Sequence, residues 1–330
     1  MGAGAAERSD ATGATGATPV VSRGVLFPEE SAAFVRLARY RPSDDLAGLV
    51  RHYWIPRWSL PTGRSHEELL LQYATCNLVV SDEYAALFGL ARGVGSRTLT
   101  GTGWAFGVML QPGTARIVLD ADAGPNAGAG PDSGAGGDGG GGVRPSGADA
   151  RPKRTVASLS DAPEPIAGLV PGAVEVTARI RSLRDDDTGM IAAFEAWLRG
   201  LRLDEGRGAV INDVVRAVES EPGIRSVEEL AARFGLGVRS LQRLTAEFVG
   251  MNPKWLLQRQ RLQDAAARLR EHPPAALAEL AAELGYADQA HFSRDFTRVV
   301  GLAPGEYSRR TQVDSGRNVS ELPNQKVQAE

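Results

Sequence analysis

Residues 229–235 read E-L-A-A-R-F-G, and residues 279–285 read E-L-A-A-E-L-G. In each place the closing glycine is followed by a second amphipathic segment, which includes L-Q-R-L at 241–244 in the first copy and F-S-R-D-F at 292–296 in the second. A helix, a tight turn after a glycine and a second helix are the sequence form of a helix-turn-helix. The chain is therefore predicted to contain this unit twice.

The two copies keep a nearly constant offset along the chain. Gly235 and Gly285 are 50 residues apart, whereas Pro253 and Pro304, which follow the second helix of each copy, are 51 residues apart. The duplication is therefore regular except for one residue inserted in the second turn.

Local signals predict the helix ends in this region. Ser226 with Glu229 three residues later is a capping box, and Gly235 is expected to end that helix in a left-handed turn. Asn252 is expected to cap a long helix that begins with proline, and Asp288 is expected to cap the last recognition helix. A continuous helix between the two units would hold them rigidly, about one DNA turn or roughly 34 Å apart.

Length and composition limit the class of protein. The chain has 330 residues, enough for two domains with ordinary cores. No apolar run approaches the roughly 20 residues that a membrane helix needs, so no membrane partner is expected. Cys76 is the only cysteine, which excludes a disulfide within the chain and fits a reducing cytoplasm.

The charge of the chain does not by itself indicate a nucleic-acid partner. The net charge is -3, and residues 205–310 carry 15 basic and 14 acidic side chains. A DNA-binding domain needs a basic face and not a basic total. Whether this region can bind DNA therefore depends on where the individual arginines lie on each helix.

The N-terminal part is predicted to be a β-rich α+β domain over residues 25–204. Residues 51–58 alternate between apolar and polar in the way that a half-buried strand does. Gly101, Gly103 and Gly107 interrupt a β-like run, which predicts bulges, tight bends or close backbone approach.

Three segments are expected to be disordered. Eleven of the thirty residues in 121–150 are glycine, so this segment is expected to be a disordered insertion within the N-terminal domain. Residues 1–24 lack the pattern of a signal peptide and are expected to be a tail, and 311–330 are expected to be a second tail. The all-α domain with the two helix-turn-helix units is predicted to span 209–310.

The candidate DNA-reading residues lie on the second helix of each unit. Arg239, Gln242 and Arg243 share one helix face, and Arg and Gln can each grip a base edge with two hydrogen bonds. The aligned positions in the second copy are Ala290, Ser293 and Arg294, of which only the last is charged. The first helix is therefore expected to carry more of the base specificity and the second more of the phosphate anchoring.

Exposed Arg and Gln side chains, taken one at a time, more often form a solvated helix face than a reading surface. The duplication alters that balance, because two glycine-turn helix pairs with matched outward basic residues rarely arise by chance. Asp295 and Glu247 are expected to pair with neighbouring arginines and not to touch DNA.

The last third of the chain resembles the DNA-binding domain of the AraC/XylS family of transcription regulators. The resemblance rests on G-Y-A-D-Q-A-H-F-S-R-D-F at 285–296, on P-G-E-Y-S-R at 304–309 and on L-Q-R-L at 241–244. It implies seven helices, double-stranded DNA and RNA polymerase as partners, activation of transcription, and base contacts near Arg239, Gln242, Arg243, Gln289, His291 and Arg294. One departure is Thr245, where the family often has a large apolar or aromatic residue.

The N-terminal part is similar, more loosely, to a sensor-type domain that precedes this module in some family members. The similarity rests on Y-R-P-S at 40–43, V-R-H-Y-W at 50–54, N-L-V at 77–79 and G-W-A-F-G-V at 103–108. It implies a regulatory domain, with a small β-barrel as one form, and it identifies no ligand.

Three hypotheses follow for the N-terminal domain. It is an effector-binding sensor, a protein-interaction or homodimerisation module without a small-molecule ligand, or an enzyme fused to a DNA-binding domain. The enzyme hypothesis has the least support, because no hydrolase, phosphate-binding or dinucleotide fingerprint is present. His52 and His66 with Glu67 and Glu68 do not make the three or four converging ligands of a metal site, so no metal or cofactor is expected.

Overall fold

The part of the chain described by this computed structural model consists of residues 24–91, 93–121, 155–160, 162–201, 203–221, 223–271 and 277–320. The expected insertion at 121–150, except Ala121, lies outside these residues, as does the expected tail at 1–24 except Gly24.

Strands dominate the first part of the described chain. The strands are β1 (Val35–Tyr40), β2 (Val50–Ser59), β3 (Ser65–Leu70), β4 (Asn77–Ser81), β5 (Ala85–Phe88), β6 (Gly95–Thr100), β7 (Thr102–Leu110) and β8 (Glu164–Pro165). The helices of this part are α1 (Pro28–Ala32), α2 (Thr114–Ala121), α3 (Ala173–Ser182) and α4 (Asp187–Gly200).

These strands form two antiparallel sheets. The larger sheet has the order β1-β2-β7-β4-β5-β8, and β3 pairs with β6 in a second sheet. The predicted β-rich α+β domain is therefore confirmed, and in the described residues it consists of two sheets and not of one closed barrel. The β2–β7 register shifts between Val50 and His52, an irregularity of the kind that a β-bulge produces.

The aromatic residues of this domain pack into its interior. Tyr53 stacks on Phe106 with ring centroids 5.7 Å apart, and Phe194 of α4 lies against both rings. The hydroxyl group of Tyr53 donates a hydrogen bond of 3.2 Å to Glu195, so the buried phenol keeps a polar partner. Burial is the main reason that the pKa of Tyr53 is raised.

The second part of the described chain is helical, as predicted. Its seven helices are α5 (Ala209–Ser220), α6 (Val227–Arg233), α7 (Val238–Phe248), α8 (Pro253–Glu271), α9 (Leu277–Glu283), α10 (Gln289–Val300) and α11 (Pro304–Ser320). Helices α6 and α7 form the first helix-turn-helix unit, α9 and α10 form the second, and α8 connects them.

The predicted helix ends are confirmed. Ser226 and Glu229 make both bonds of a capping box at the start of α6. Gly235 has a φ of 63°, a left-handed conformation that a side chain would strain. Asn252 accepts a hydrogen bond of 2.8 Å from the backbone of Trp255, and Asp288 caps α10 in the same way at 2.7 Å.

Two hydrophobic clusters hold the molecule together, and neither follows the predicted domain boundary. The first cluster joins the N-terminal core to the first unit and extends to Leu257. The second cluster joins Leu26, Phe27 and Leu71 to the end of α8 and to the second unit. Helix α2 also lies against α7. The division into 25–204 and 209–310 therefore stays a prediction.

The segment predicted to be a disordered tail, 311–330, begins within helix α11. Helix α11 continues to Ser320, and only 321–330 lie outside the described residues. The buried hydroxyl of Thr311 donates to the backbone of Tyr307 and Ser308, and Arg310 forms two hydrogen bonds to Glu30 of α1. Arg310 thus joins α11 to the first helix at the point where this segment begins.

Within the described residues, no helix combines the length and apolar character required to cross a bilayer.

Gly107 provides a test of packing in the larger sheet. A Cβ atom at this position would lie 2.0 Å from the indole of Trp54, and that indole is held by a hydrogen bond of 3.1 Å to Asn77. Gly107→Ala is expected to lower the free energy of unfolding by ~1–3 kcal/mol, because the ring has to shift. Chemical denaturation of the full chain measures the effect.

The matched control is Gly168→Ala, because nothing lies within 4 Å of a Cβ atom at that site. Equal stability of the two alanine variants would contradict the close approach of β7 to Trp54.

Candidate nucleic-acid interface

Helix α7 is divided into a buried face and an exposed face. Leu241, Thr245 and Phe248 are buried and face the first cluster. Thr245 is the departure noted in the sequence, and its hydroxyl donates a hydrogen bond of 3.1 Å to the carbonyl of Gln242. The polar atom is therefore satisfied within the helix, and the core tolerates threonine at this position.

The opposite face of α7 carries the three predicted reading residues. Arg239, Gln242 and Arg243 are all exposed. None of their side chains makes a hydrogen bond or an ion pair with another residue in the described part of the chain. Their donor groups are therefore available to an external acceptor such as a base edge or a phosphate.

Helix α10 presents a comparable surface in the second unit. Its buried side consists of Phe292, Phe296, Val299 and Val300. Phe292 and Phe296 meet edge to face, with ring centroids 5.7 Å apart, and anchor the helix in the second cluster.

The predicted contact residues on α10 fall into two groups. Gln289 and Arg294 are exposed, and their side chains make no hydrogen bond or ion pair within the described residues. His291 is also exposed, but its ring packs edge-on against Tyr286 at 5.2 Å, and its Nε2 lies 3.6 Å from Asp295. The ring of His291 is therefore restrained by contacts with other residues of the protein, whereas the side chains of Gln289 and Arg294 extend into solvent.

Most other arginines of the helical region are engaged with partners in the protein. This separates them from Arg239, Arg243 and Arg294, which share the exposed faces of the two recognition helices. The engaged arginines that pair with a carboxylate are Arg216 with Asp213, Arg233 with Glu221, Arg268 with Glu283, Arg298 with Asp295 and Arg310 with Glu30.

Asp295 pairs with a neighbouring arginine, as the sequence predicted. Its carboxylate lies 2.8 Å from Arg298, but it also accepts a hydrogen bond of 2.5 Å from Gln258 of α8. Sequence reasoning missed this second contact, because residues 37 positions apart carry no local signal of proximity.

A groove of about 390 Å³ lies between the two units. Residues from the end of α7, the start of α8 and the end of α10 line it, including Ala246, Trp255 and Arg298. The two recognition helices therefore approach each other at this groove without sharing a hydrophobic core.

His52 and His66, in the N-terminal part, both lie close to charged or polar groups of the protein. Burial, together with the nearby charges of Arg39 and Arg51, lowers the pKa of His52 to about 4. The Nε2 of His66 lies 3.2 Å from the hydroxyl of Ser31 and 3.5 Å from Glu68. In the described residues no group of three or more His, Cys, Asp or Glu side chains could hold a metal ion.

Two protein-family models match different parts of the chain. A model described as a helix-turn-helix domain matches residues 230–310. A model described as a domain of unknown function (DUF6597) matches residues 38–127. The first match covers both recognition helices, and the second covers the greater part of the strands.

Two curated transcription regulators are similar to part of the chain. The HTH-type transcriptional activator RhaS of Escherichia fergusonii is 35% identical over 104 residues, which are 31% of this chain and 37% of RhaS. The HTH-type transcriptional regulator MtrA of Neisseria gonorrhoeae is 25% identical over 126 residues, which are 38% of this chain and 39% of MtrA. The chain thus spans about two fifths of the length of the curated relatives it matches.

A solved structure, ToxT of Vibrio cholerae, aligns with 83% of this chain and 96% of its own chain. The identity is 11% and the TM-score is 0.31, a value too low to establish a common arrangement.

Arg243 tests whether the exposed face of α7 reads bases. Arg243→Ala is expected to weaken binding of a preferred duplex by ~1–3 kcal/mol and to relax the preference at one base position. Competition binding at fixed salt against a set of single-base variants measures both effects.

The control is Arg233→Ala, which removes the same charge from an arginine that is paired with Glu221 outside the recognition helix. A uniform loss of affinity across all sequences in Arg243→Ala would identify a phosphate contact instead of a base contact.

Proposed function

We propose that the seven-helix region, which a helix-turn-helix family model matches over residues 230–310, is a double helix-turn-helix domain of the AraC/XylS family. We propose further that the whole chain is a sequence-specific transcription regulator of that type. It acts as an activator in the cytoplasm and binds double-stranded promoter or operator DNA and RNA polymerase. The single observation that carries the proposal is the face of α7, where Arg239, Gln242 and Arg243 lie exposed and uncommitted within the described structure.

The two recognition helices take different roles in this proposal. Arg239, Gln242 and Arg243 read base edges, because a helix in the major groove brings three such side chains within reach. Arg294 and Gln289 of α10 contact the second groove and its phosphates. His291 also contacts DNA in this proposal, and Tyr286 and Asp295 orient its ring.

The N-terminal domain is proposed to control DNA binding through α8. The guanidinium group of Arg259, on α8, donates hydrogen bonds to the carbonyls of Ala91 at 2.8 Å and Gly93 at 3.4 Å. Four residues further on, Gln263 donates to the carbonyls of Leu71 and Gln72 at 3.2 and 3.1 Å. The loop after β5 and the segment after β3 are thus bonded directly to the helix that connects the two units.

The burial of Arg259 makes this contact costly to break. Only 3% of the residue is exposed, and burial lowers its pKa to about 10. Its guanidinium also lies 4.7 Å from the ring centre of Trp255. A buried charge without its hydrogen-bond acceptors is strongly unfavourable, so a change in the loop after β5 has to be accommodated by α8. An effector bound by the N-terminal domain would act by this route.

Selection from a random duplex pool tests the proposed function. The full chain, at fixed salt, is expected to recover a motif with two half-elements about one helical turn apart. The double variant Arg239→Ala, Arg243→Ala is the control and is expected to lose the motif. Recovery of no motif by the unaltered chain, with binding only at low salt, would reject sequence-specific recognition.

Arg259→Leu tests control through α8. The change removes the hydrogen bonds to Ala91 and Gly93, so the units are held less firmly and affinity for the selected duplex is expected to fall about tenfold, or ~1.4 kcal/mol. The selected motif is expected to stay the same, because no reading residue is altered. Titration of the full chain with labelled duplex measures the affinity.

Arg268→Leu is the matched control on the same helix. Arg268 is half-exposed and pairs with Glu283 of the second unit, so its loss is expected to leave affinity nearly unchanged. Equal affinities of the two leucine variants would reject the proposed route through Arg259.

A further inference from the structure

The two helix-turn-helix units belong to different hydrophobic clusters. Leu256 and Leu257, near the start of α8, lie in the first cluster with the first unit. Leu262 and Leu269, further along the same helix, lie in the second cluster with the second unit. Apolar packing therefore fixes each unit to its own part of α8, and in the described residues neither hydrophobic cluster contains both recognition helices.

The side chains of Gln258 and Asp295 connect the parts that apolar packing leaves separate. Gln258 lies immediately after Leu257, on the part of α8 that belongs to the first cluster, whereas Asp295 lies in the middle of α10. The Nε2 of Gln258 donates to Asp295 at 2.5 Å. Gln258 also lines the groove between the units.

Asp295 is held firmly enough to act as a fixed point. Its side chain is only 14% exposed, and its carboxylate also faces Arg298 at 2.8 Å and His291 at 3.6 Å. A carboxylate that receives several hydrogen bonds in a half-buried site has little rotational freedom, and such charge-assisted bonds are the stronger ones. A rotation of α10 about its axis would break this set of contacts together.

We propose that Asp295 is a positioning residue that fixes the second recognition helix to the start of α8 through Gln258, and thereby sets the DNA spacing at which both helices can bind. This inference rests on the proposed function, because it concerns the distance between two half-elements of a recognised duplex. It assigns Asp295 no contact with DNA.

The effect on spacing follows from geometry. Helix α8 has 19 residues and is therefore roughly 29 Å long, close to the roughly 34 Å that separates successive major grooves. A small change in the angle between α8 and α10 moves the reading side chains along the DNA axis by a distance comparable to one base-pair step. A fixed angle therefore selects one spacing, and a loosened angle accepts several.

Three variants separate positioning from charge. Asp295→Ala removes the acceptor and the negative charge, whereas Asp295→Asn removes the same charge but keeps an oxygen that can accept from Gln258. Gln258→Leu removes the donor and leaves the charge unchanged. Positioning predicts that the alanine and leucine variants behave alike and that the asparagine variant behaves like the unaltered chain.

The first measurement is a spacing profile of the full chain. Duplexes carry the two selected half-elements with the separation changed by one or two base pairs in either direction. The unaltered chain and Asp295→Asn are expected to prefer one separation about tenfold, and Asp295→Ala and Gln258→Leu about threefold or less. If all four proteins keep the same spacing preference, the proposal is overturned.

The second measurement does not depend on DNA binding. Ala232 and Ala282 are exposed and occupy corresponding positions in the two units, so nitroxide labels on Ala232→Cys and Ala282→Cys report the distance between the units. The native Cys76 is fully buried and burial raises its pKa to about 12, which protects it from labelling. Pulsed electron resonance is expected to show a broader distance distribution in Asp295→Ala and Gln258→Leu, and an unchanged one in Asp295→Asn.

The two measurements distinguish failure of the inference from failure of the proposed function. Absence of any selected motif in the unaltered chain would reject the proposed function, and the spacing role would be rejected with it. A specific motif together with identical label distances in all four proteins would reject the role of Asp295 alone.

Discussion

The burial of α8 is the constraint on which the rest of this structure depends. The helix contains buried leucine and alanine residues, but Arg259 and Gln263 are buried among them. Two such polar side chains can lie inside a protein only where acceptors meet them, and here the acceptors are backbone carbonyls of the N-terminal domain. The helix that joins the two recognition units is therefore also the helix that the N-terminal domain holds.

Helix α8 packs against both hydrophobic clusters of the structure. Its first half completes the first hydrophobic cluster, and its second half completes the second cluster. A helix packed against two cores transmits a movement of either core to the other, because interiors at crystal-like density do not absorb displacements. The proposed regulator can therefore respond at its DNA-binding surface to a change in the N-terminal sheet without a flexible linker.

The pairing of charges separates structural arginines from the arginines that are proposed to read DNA. Arg233, Arg268 and Arg298 have carboxylate partners, whereas Arg239 and Arg243 have none within the described residues. A free guanidinium on an exposed helix face keeps its full hydrogen-bonding capacity for a ligand. A domain of near-neutral total charge can thus still present unpaired basic side chains on the exposed face of α7.

Much of the helical region was predictable because its signals are local. The capping box at Ser226, the left-handed Gly235 and the cap at Asp288 depend only on residues within a few positions, and each is present as expected. The N-terminal strands were predictable as a class but not in their order, since sheet order depends on contacts between distant segments. His291 was predicted as a base contact from its place in the motif, and its packing on Tyr286 needed the structure.

The sequence by itself determined the two duplicated units, their helix ends and the face on which Arg239, Gln242 and Arg243 lie, because helical periodicity and capping act over a few residues. Only the tertiary structure decided how these units are held. The bonds from Arg259 to the loop after β5, from Gln258 to Asp295 and from Arg310 to Glu30 join residues 37 to 280 positions apart. No local pattern encodes such pairs, since they exist only once the two hydrophobic clusters have brought distant segments together.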